Sequence, residues 1–320
     1  MIYRRARSGG PPVSVLALGS YLTYGDRLDL LQSSRCIHAA IDCGINFFDT
    51  ADGYADGGAE RMLGRVLADV RRDRWLIATK CFFPWSDSPS SGGLSRKHVV
   101  ESVERSLENL RVDTIDVFQC HRFDPQTALV ETVETMDLLV RQGKILHWGM
   151  GRFSAEQIDA TLNCAAENGW TAPLTHQTIY GLLQREVEQD VLSAAHDRGV
   201  GTLVYGALGQ GVLTGKYLDG ARPPQSRAAD RVQRATMYNL DTDAVAASGA
   251  LAGLAHEYGA SAAQLAIAWC LRREELLSVI VGATDPVQIA ENAAAAELRL
   301  DDRAFDAIEG IFNEQDRSDA

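Results

Sequence analysis

Short runs of β-branched and aromatic residues alternate with helical patterns along almost the whole chain, and this alternation limits the folds open to it. Strands are expected at Val13–Gly19, Phe47–Asp49, Leu76–Lys80, Thr114–Cys120, Leu146–Gly149, Leu174–Thr178, Gly201–Tyr205 and Ser278–Gly282. Helical periodicity fills most of the gaps, at Ser34–Asp42, Ala59–Val70, Arg96–Leu110, Ala128–Arg141, Ala155–Glu167 and Arg185–Arg198. A crossover long enough to hold a helix returns the chain in the same direction, so such strands run parallel. Eight of these units in 320 residues suit a closed (β/α)8 TIM barrel, which takes about 250 residues plus insertions. An open doubly wound sheet is the weaker fit.

The last gap is longer and holds an irregular stretch, Leu208–Arg234, before helical patterns at Val245–Tyr258 and Ala262–Arg272. A pattern at Val287–Ala296 follows the eighth strand, and Asp301–Phe312 reads as an added C-terminal helix. The first twelve residues are expected to form a short hairpin closing the barrel bottom. No linker, low-complexity tract or repeat interrupts residues 1–320, so one barrel domain is expected.

Hydrophobic residues make up 46% and charged residues 23% of the chain, as in an ordinary globular protein. Lys and Arg number 31 against 43 Asp and Glu, a net charge of −12. That balance opposes general binding to nucleic acid or to an anionic membrane, and leaves room for a local basic pocket. No apolar run approaches the roughly 18 residues of a membrane span. The basic N-terminus, Met1 to Arg7, leads into a turn at Ser8–Pro12 rather than into an apolar signal segment. Six scattered cysteines without a C-x-x-C pair point to a reduced, cytoplasmic protein.

A parallel barrel carries its chemistry at the C-terminal ends of its strands. Four polar residues stand there or just beyond: Asp49, with Tyr54 five positions on, Lys80 and His121. Singly, each has an ordinary reading, as a helix cap, a surface aromatic, a snorkelling lysine or a structural histidine. Together they suggest proton chemistry. A buried lysine needs a carboxylate partner, which Asp49 supplies. Its charge beside Tyr54 is expected to lower the phenol pKa and make it a better proton donor. His121 is placed to orient a substrate oxygen.

This set resembles the catalytic tetrad of the aldo-keto reductases. The likeness continues through Gly44-Ile45-Asn46-Phe47-Phe48-Asp49-Thr50-Ala51, Gly143-Lys144-Ile145 and Gly282-Ala283. It is similar to the branch that contains the voltage-gated potassium-channel beta subunits, through Leu94-Ser95-Arg96-Lys97-His98, Pro223-Pro224-Gln225-Ser226-Arg227 and Gln264–Arg272. The resemblance implies an NADPH-dependent reductase of aldehydes or ketones, with Tyr54 as acid, Lys80 and Asp49 tuning it and His121 steering the carbonyl. No strand-associated G-x-G-x-x-G is present, consistent with a cofactor bound outside a Rossmann fold. No cluster has zinc-ligand spacing.

The same resemblance implies the cofactor contacts. Ser20 and Tyr21 follow the first strand, Gln177 holds the carboxamide, and Tyr205 stacks on the nicotinamide. The stretch from Leu208 through Gly209 and Gly211 to Lys216 covers the diphosphate. Lys216 and Arg227 meet phosphate charge, including a 2′-phosphate, and Gly282, Thr284, Gln288, Glu291 and Asn292 form the adenosine side. Three departures stand out. Gly151-Arg152 stands where relatives often have Ser-Asn or Ser-Arg after the fifth strand, so a hydroxyl to the carboxamide is missing and Arg152 is left to face cofactor or substrate. Gly206-Ala207 replaces Ser-Pro after the stacking aromatic. His121 stands where channel subunits often carry asparagine, which favours carbonyl chemistry over regulation.

A substrate pocket is expected from Tyr21, Tyr24, Phe82, Phe83, Trp85, Arg122 and Phe123. Its aromatics and the short C-terminal tail suggest a keto-sugar or another bulky ketone, with Arg122 placed for a carboxylate or phosphate. The alternative function is an NADPH-binding redox sensor or regulatory subunit with slow turnover. A homo-oligomer is compatible with either.

Overall fold

The structure, a computed structural model, describes residues 1–224, 226–235, 237 and 240–313. Gln225 of the Pro223–Arg227 motif therefore lies outside the described residues. The chain opens with an antiparallel hairpin, β1 (Tyr3–Ala6) against β2 (Gly9–Ser14). Eight parallel strands follow: β3 (Leu16–Gly19), β4 (Phe47–Asp49), β5 (Leu76–Cys81), β6 (Ile115–Cys120), β7 (Ile145–Gly151), β8 (Thr175–Ile179), β9 (Gly201–Tyr205) and β10 (Leu276–Val281). They pair in chain order, and β10 pairs with β3 to close the barrel. The fold is a (β/α)8 TIM barrel, as the alternation predicts.

Its helices are α1 (Leu30–Asp42), α2 (Gly58–Leu67), α3 (Arg96–Leu110), α4 (Leu129–Arg141), α5 (Ala155–Asn168), α6 (Val191–Asp197), α7 (Arg231–Ala235), α8 (Thr242–Glu257), α9 (Ala262–Leu271), α10 (Pro286–Ala294) and α11 (Asp302–Asn313). Reciprocal capping boxes start three of them, Asp29 with Gln32 at α1, Ser154 with Gln157 at α5 and Ser261 with Gln264 at α9. Each box satisfies amide groups that the first turn leaves without helical partners. The box at Asp29 also explains why α1 begins four residues before the expected Ser34. The expected helix from Arg185 to Arg198 divides instead into a 3-10 turn at Glu186–Glu188 and α6. The long irregular stretch contains 3-10 turns at Gly209–Thr214 and Leu218–Gly220.

Strand parity decides which side chains enter the barrel, because successive residues point to opposite faces. Ala17, Phe47, Ala78, Val117, Leu203 and Ile280 form an apolar cluster inside it. Their neighbours Leu16, Leu18, Phe48, Ile77, Phe118 and Val204 belong to the larger core between barrel and helices. Asp49, Lys80 and Tyr205 lie two residues beyond interior members, and His121 lies four beyond Val117. All four therefore share the inward parity. They rise from the packed layer toward the C-terminal mouth.

The first expected strand, Val13–Gly19, is in fact two. Ser14 ends β2 and Leu16 begins β3. The break is held by side chains: Ser14 Oγ donates to the Leu16 carbonyl at 2.6 Å, and its amide donates to Asn46 Oδ1 at 2.8 Å. Val13 then packs with Leu277 in the interior cluster, so the hairpin plugs the N-terminal end. Among the described residues no helix is long and apolar enough to cross a membrane.

Candidate active site

The C-terminal strand ends open into one cleft of about 690 Å³. Beneath its floor Lys80, only 1% exposed, donates from Nζ to Asp49 Oδ1 at 2.7 Å and to the Thr50 carbonyl at 2.6 Å. The second Asp49 oxygen accepts from Gln177 Nε2 at 2.8 Å. The carboxylate thus ties β4 to β5 and, across the barrel, to β8. Such a buried pair holds only when its remaining hydrogen-bonding capacity is used, as it is here.

Tyr54 reaches the cleft from the loop after β4. Thr50 and Asp52 donate backbone N–H bonds to the carbonyls of Ala78 and Lys80, extending the pairing with β5. Ala55, Asp56 and Gly57 then turn the chain with φ of 50°, 49° and 75°. The Tyr54 ring lies 4.8 Å from the Tyr21 ring and 5.7 Å, edge-on, from His121. Lys80 Nζ is 5.2 Å from its centroid. The phenol pKa is nonetheless raised well above its ordinary value, by burial first and then by the negative charge of Asp49, with Tyr205, Tyr21 and Asp52 adding. This corrects the expected lowering. Lys80 is so closely engaged with Asp49 that the pair presents little net positive charge to the ring.

His121 follows β6 directly, its amide bonded to the Cys81 carbonyl at 3.0 Å. Burial, with the cations Lys80, Arg122 and Arg152, lowers its pKa to about 3. The imidazole is neutral, and its Nδ1 is buried with no hydrogen-bond partner. Two groups that keep their protonation state across neutral pH therefore face one cleft.

The rest of the cleft is basic, although the chain carries a net charge of −12. Among the described residues its lining includes Arg27, Arg122, Arg152, Lys216 and Arg227, against two acids, Asp49 and Glu291. The cations fall into two groups. Arg122 and Arg152 act on His121, whereas Arg227 and Arg27 act on Lys216, whose pKa is lowered by burial and then by these two like charges. Gly211 makes room for this second group. With φ of 95°, it adopts a backbone that favours glycine, and a Cβ there would lie 2.7 Å from Lys216 Nζ.

A sequence model described as the aldo/keto reductase family matches residues 15–313. The chain belongs to this family of oxidoreductases. It is 37% identical, over 97% of its length and 96% of the other, to a probable voltage-gated potassium channel subunit beta of Oryza sativa subsp. japonica. A protein of the same description from Arabidopsis thaliana is 36% identical over 93% of this chain and 92% of its own. A putative subunit of this kind from Schizosaccharomyces pombe is 34% identical over 97% and 93%.

Most positions that the aldo/keto reductase resemblance singles out do line the cleft: Tyr21, Asp49, Tyr54, His121, Arg122, Arg152, Gln177, Tyr205, Gly206, Ala207, Leu208, Gly211, Lys216, Arg227, Gly282, Thr284, Gln288, Glu291 and Asn292. Arg152 is turned there by a φ of 57°, with its amide bonded to the Gln177 carbonyl at 2.8 Å. Thr284 N–H donates to Gln288 Oε1 at 3.0 Å, which joins the loop after β10 to the first turns of α10. Ser20 and Gly209 lie behind the wall. Ser20 is buried, and its hydroxyl has no partner.

The expected aromatic substrate wall is corrected. Tyr24 is core: it is 1% exposed and donates its hydroxyl to the Ala283 carbonyl at 3.3 Å. Phe82 packs on the core behind Phe83, its ring 5.6 Å away. Trp85 stacks on His98 at 6.0 Å and donates Nε1 to Ser102 Oγ, while Phe123 meets Phe153 edge-on. Of that set, Tyr21, Phe83 and Arg122 face the cleft.

Arg27 was missed by sequence reasoning, yet the rule that found the others covers it, since it sits in the loop after β3. Asp52 was also missed. It is fully buried, and burial together with nearby Glu60 pushes its pKa up to about 7 against partial relief from Ser102 and Arg105. Among the described residues no group of three or more His, Cys, Asp or Glu side chains is placed to hold a metal ion.

Proposed function

We propose that this chain is an NADPH-dependent reductase of aldehydes and ketones. The observation that carries the reading is the pairing of neutral Tyr54 with neutral His121, their rings 5.7 Å apart, over the buried Lys80–Asp49 pair. A carbonyl oxygen between them would receive two hydrogen bonds from uncharged donors. When bound, the reduced nicotinamide supplies a hydride to the carbonyl carbon, so the substrate gains two electrons and NADPH becomes NADP⁺. Tyr54 gives its phenolic proton to the oxygen as negative charge develops there, and water restores that proton. The high phenol pKa keeps the proton on Tyr54 until then. His121, held neutral, orients the oxygen without taking its proton.

The donor set fits the cofactor. Arg27, Lys216 and Arg227 are like charges held close together, an arrangement that an anionic diphosphate and a 2′-phosphate would relieve. Gln177 has an amide for the carboxamide, Tyr205 a ring for the nicotinamide, and Glu291 and Asn292 line the same cleft with polar groups suited to the adenine edge. The cation group is the reason for preferring NADPH to NADH. A reducing, cytoplasmic setting accords with six free cysteines. The suggestion of a keto-sugar or bulky ketone keeps only Tyr21 and Phe83 as aromatic support, because Tyr24, Phe82 and Trp85 lie away from the cleft.

The decisive experiment pairs NADPH titration by fluorescence with steady-state oxidation of NADPH by a small aldehyde. Tyr54→Phe should retain nucleotide binding and lose about 10²–10⁴-fold in kcat. Turnover that survives the substitution would overturn the mechanism.

The three relatives are described as channel beta subunits, which favours a second reading, a regulatory subunit; such a chain would hold NADPH and turn over slowly. Single-turnover measurement separates the two. A sensor oxidises its bound NADPH once and slowly, whereas an enzyme cycles. The neutral His121 beside Tyr54 supports the enzyme.

A further inference from the structure

We infer that the substrate carries a carboxylate, and that Arg122 is the residue that recognises it. The inference rests on the reductase reading and narrows its substrate class to oxo-acids, compounds in which a reducible carbonyl and an acid group share one small molecule.

The Arg122 guanidinium lies over the Phe83 ring at 4.6 Å, and that ring meets His121 edge-on at 5.1 Å. One phenyl ring thus contacts both the group that would orient the carbonyl and the cation. Held over two rings, Phe83 at 4.6 Å and Phe82 at 5.3 Å, the guanidinium keeps N–H groups for a planar, two-pronged partner. Arg122 Nε is buried and has no hydrogen-bond partner. The rest of this half-buried side chain lines the open cleft, where an acceptor brought by a ligand can reach its outer N–H groups.

Among the described residues no acid is bonded to Arg122. Asp49 is paired with Lys80, and Glu291 stands on α10, beyond β10, with Gln288 and Asn292. Asp124, two residues after Arg122, is a nearby acid in sequence. Its carboxylate accepts from the Leu94 and Gln126 amides and the Thr127 hydroxyl, and its pKa is lowered by those bonds. Arg152 adds a second positive charge on the His121 side. These cations are distinct from the Arg27–Lys216–Arg227 group, so the cofactor phosphates do not account for them.

The reaction balances as an ordinary reduction: R–CHO with NADPH and a proton gives R–CH₂OH and NADP⁺, and the carboxylate is unchanged. The test compares 4-carboxybenzaldehyde with 4-carbamoylbenzaldehyde, which match in size and differ in charge, by NADPH oxidation with the full chain. Wild type should favour the carboxylate by at least about tenfold in kcat/KM, the discrimination expected of one charged hydrogen-bonded contact. Arg122→Gln should bring the two within about twofold of each other, and Arg122→Lys should recover part of the preference. A wild-type ratio near one overturns the inference without any variant and leaves the reductase reading standing. So does a ratio that Arg122→Gln leaves intact. Failure to oxidise NADPH with either aldehyde, while NADPH still binds, overturns the reductase reading and this inference with it.

Discussion

Lys80 and Asp49 face each other across adjacent strands with 2.7 Å between Nζ and Oδ1, and neither side chain is more than 6% exposed. Truncating one partner of such a pair leaves the other as an uncompensated buried charge. Lys80→Met should therefore destabilise the barrel by about 3–5 kcal/mol. Gln177, bonded to the other Asp49 oxygen, cannot neutralise the carboxylate. Adding Asp49→Asn to Lys80→Met removes the orphaned charge and should recover much of the loss in chemical denaturation. A single Lys80→Met variant as stable as wild type would mean that the pair is solvated in solution.

Asp52 sits one turn of chain from Asp49 and behaves in the opposite sense. Its carboxyl pKa is about 7 in the folded protein, raised by burial and Glu60, with Ser102 and Arg105 giving partial relief. The unfolded chain releases this proton near pH 4, as an ordinary carboxyl does. The folded state therefore binds more protons between about pH 4 and pH 7, and this residue's contribution falls as pH rises through that window. Above about pH 7 the penalty is complete, on the order of 4 kcal/mol at most. Histidines with lowered pKa, His121 and His176 among them, oppose this trend, because their stabilising neutral form is lost as pH falls. The difference between wild type and Asp52→Asn isolates the carboxyl. Guanidinium melts should show the variant gaining on wild type from pH 5 to pH 8, and a pH-independent difference would contradict the shift.

The fold and the four-residue centre were legible because both obey local rules. Strand positions follow from β-branched runs, and the inward parity that buries Phe47 and Ala78 also turns Asp49 and Lys80 inward. Three features were not legible. The break at Val15 depends on Asn46, thirty-one positions away in the chain, gripping Ser14. Whether a loop aromatic faces a pocket or the core depends on what packs beside it, so Tyr24 and Trp85 could not be told apart from Tyr21 and Phe83. The sign of the Tyr54 shift required knowing that Asp49 engages Lys80 so closely and that the ring is buried. Each of these is a long-range fact.

The cations at the cofactor end make a separable prediction. Arg227→Ala should narrow the gap between NADPH and NADH affinity about tenfold if Arg227 meets the 2′-phosphate. Arg27→Ala should weaken both nucleotides alike if Arg27 faces charge common to them. Both losses should shrink at high salt, since partly exposed charge pairs are screened. Fluorescence titration with each nucleotide at two ionic strengths reads all four values. An unchanged NADPH to NADH ratio in Arg227→Ala would move the 2′-phosphate site to Lys216 or Arg27.

Gly151 gives a prediction that sets sequence resemblance against geometry. The family resemblance implies serine at the end of this strand, which suggests that Gly151→Ser would supply a hydroxyl contact to the carboxamide and tighten the cofactor. The close approach of β6 and β7 argues otherwise. A Cβ on Gly151 would lie 2.6 Å from the His121 carbonyl oxygen and 2.9 Å from that of Cys120. Backbone cannot yield as a flexible side chain does, so either β7 shifts or the end of β6 is pushed outward, and His121 moves with it. Overpacking of this kind typically costs about 1–3 kcal/mol. Displacing a group that positions the carbonyl by even about 1 Å can cost roughly 100-fold in rate. Gly151→Ser should therefore lower both the melting temperature and kcat, and the lost kcat should not return at saturating NADPH. Tighter NADPH binding with kcat preserved would show that the two strand ends can part without disturbing His121.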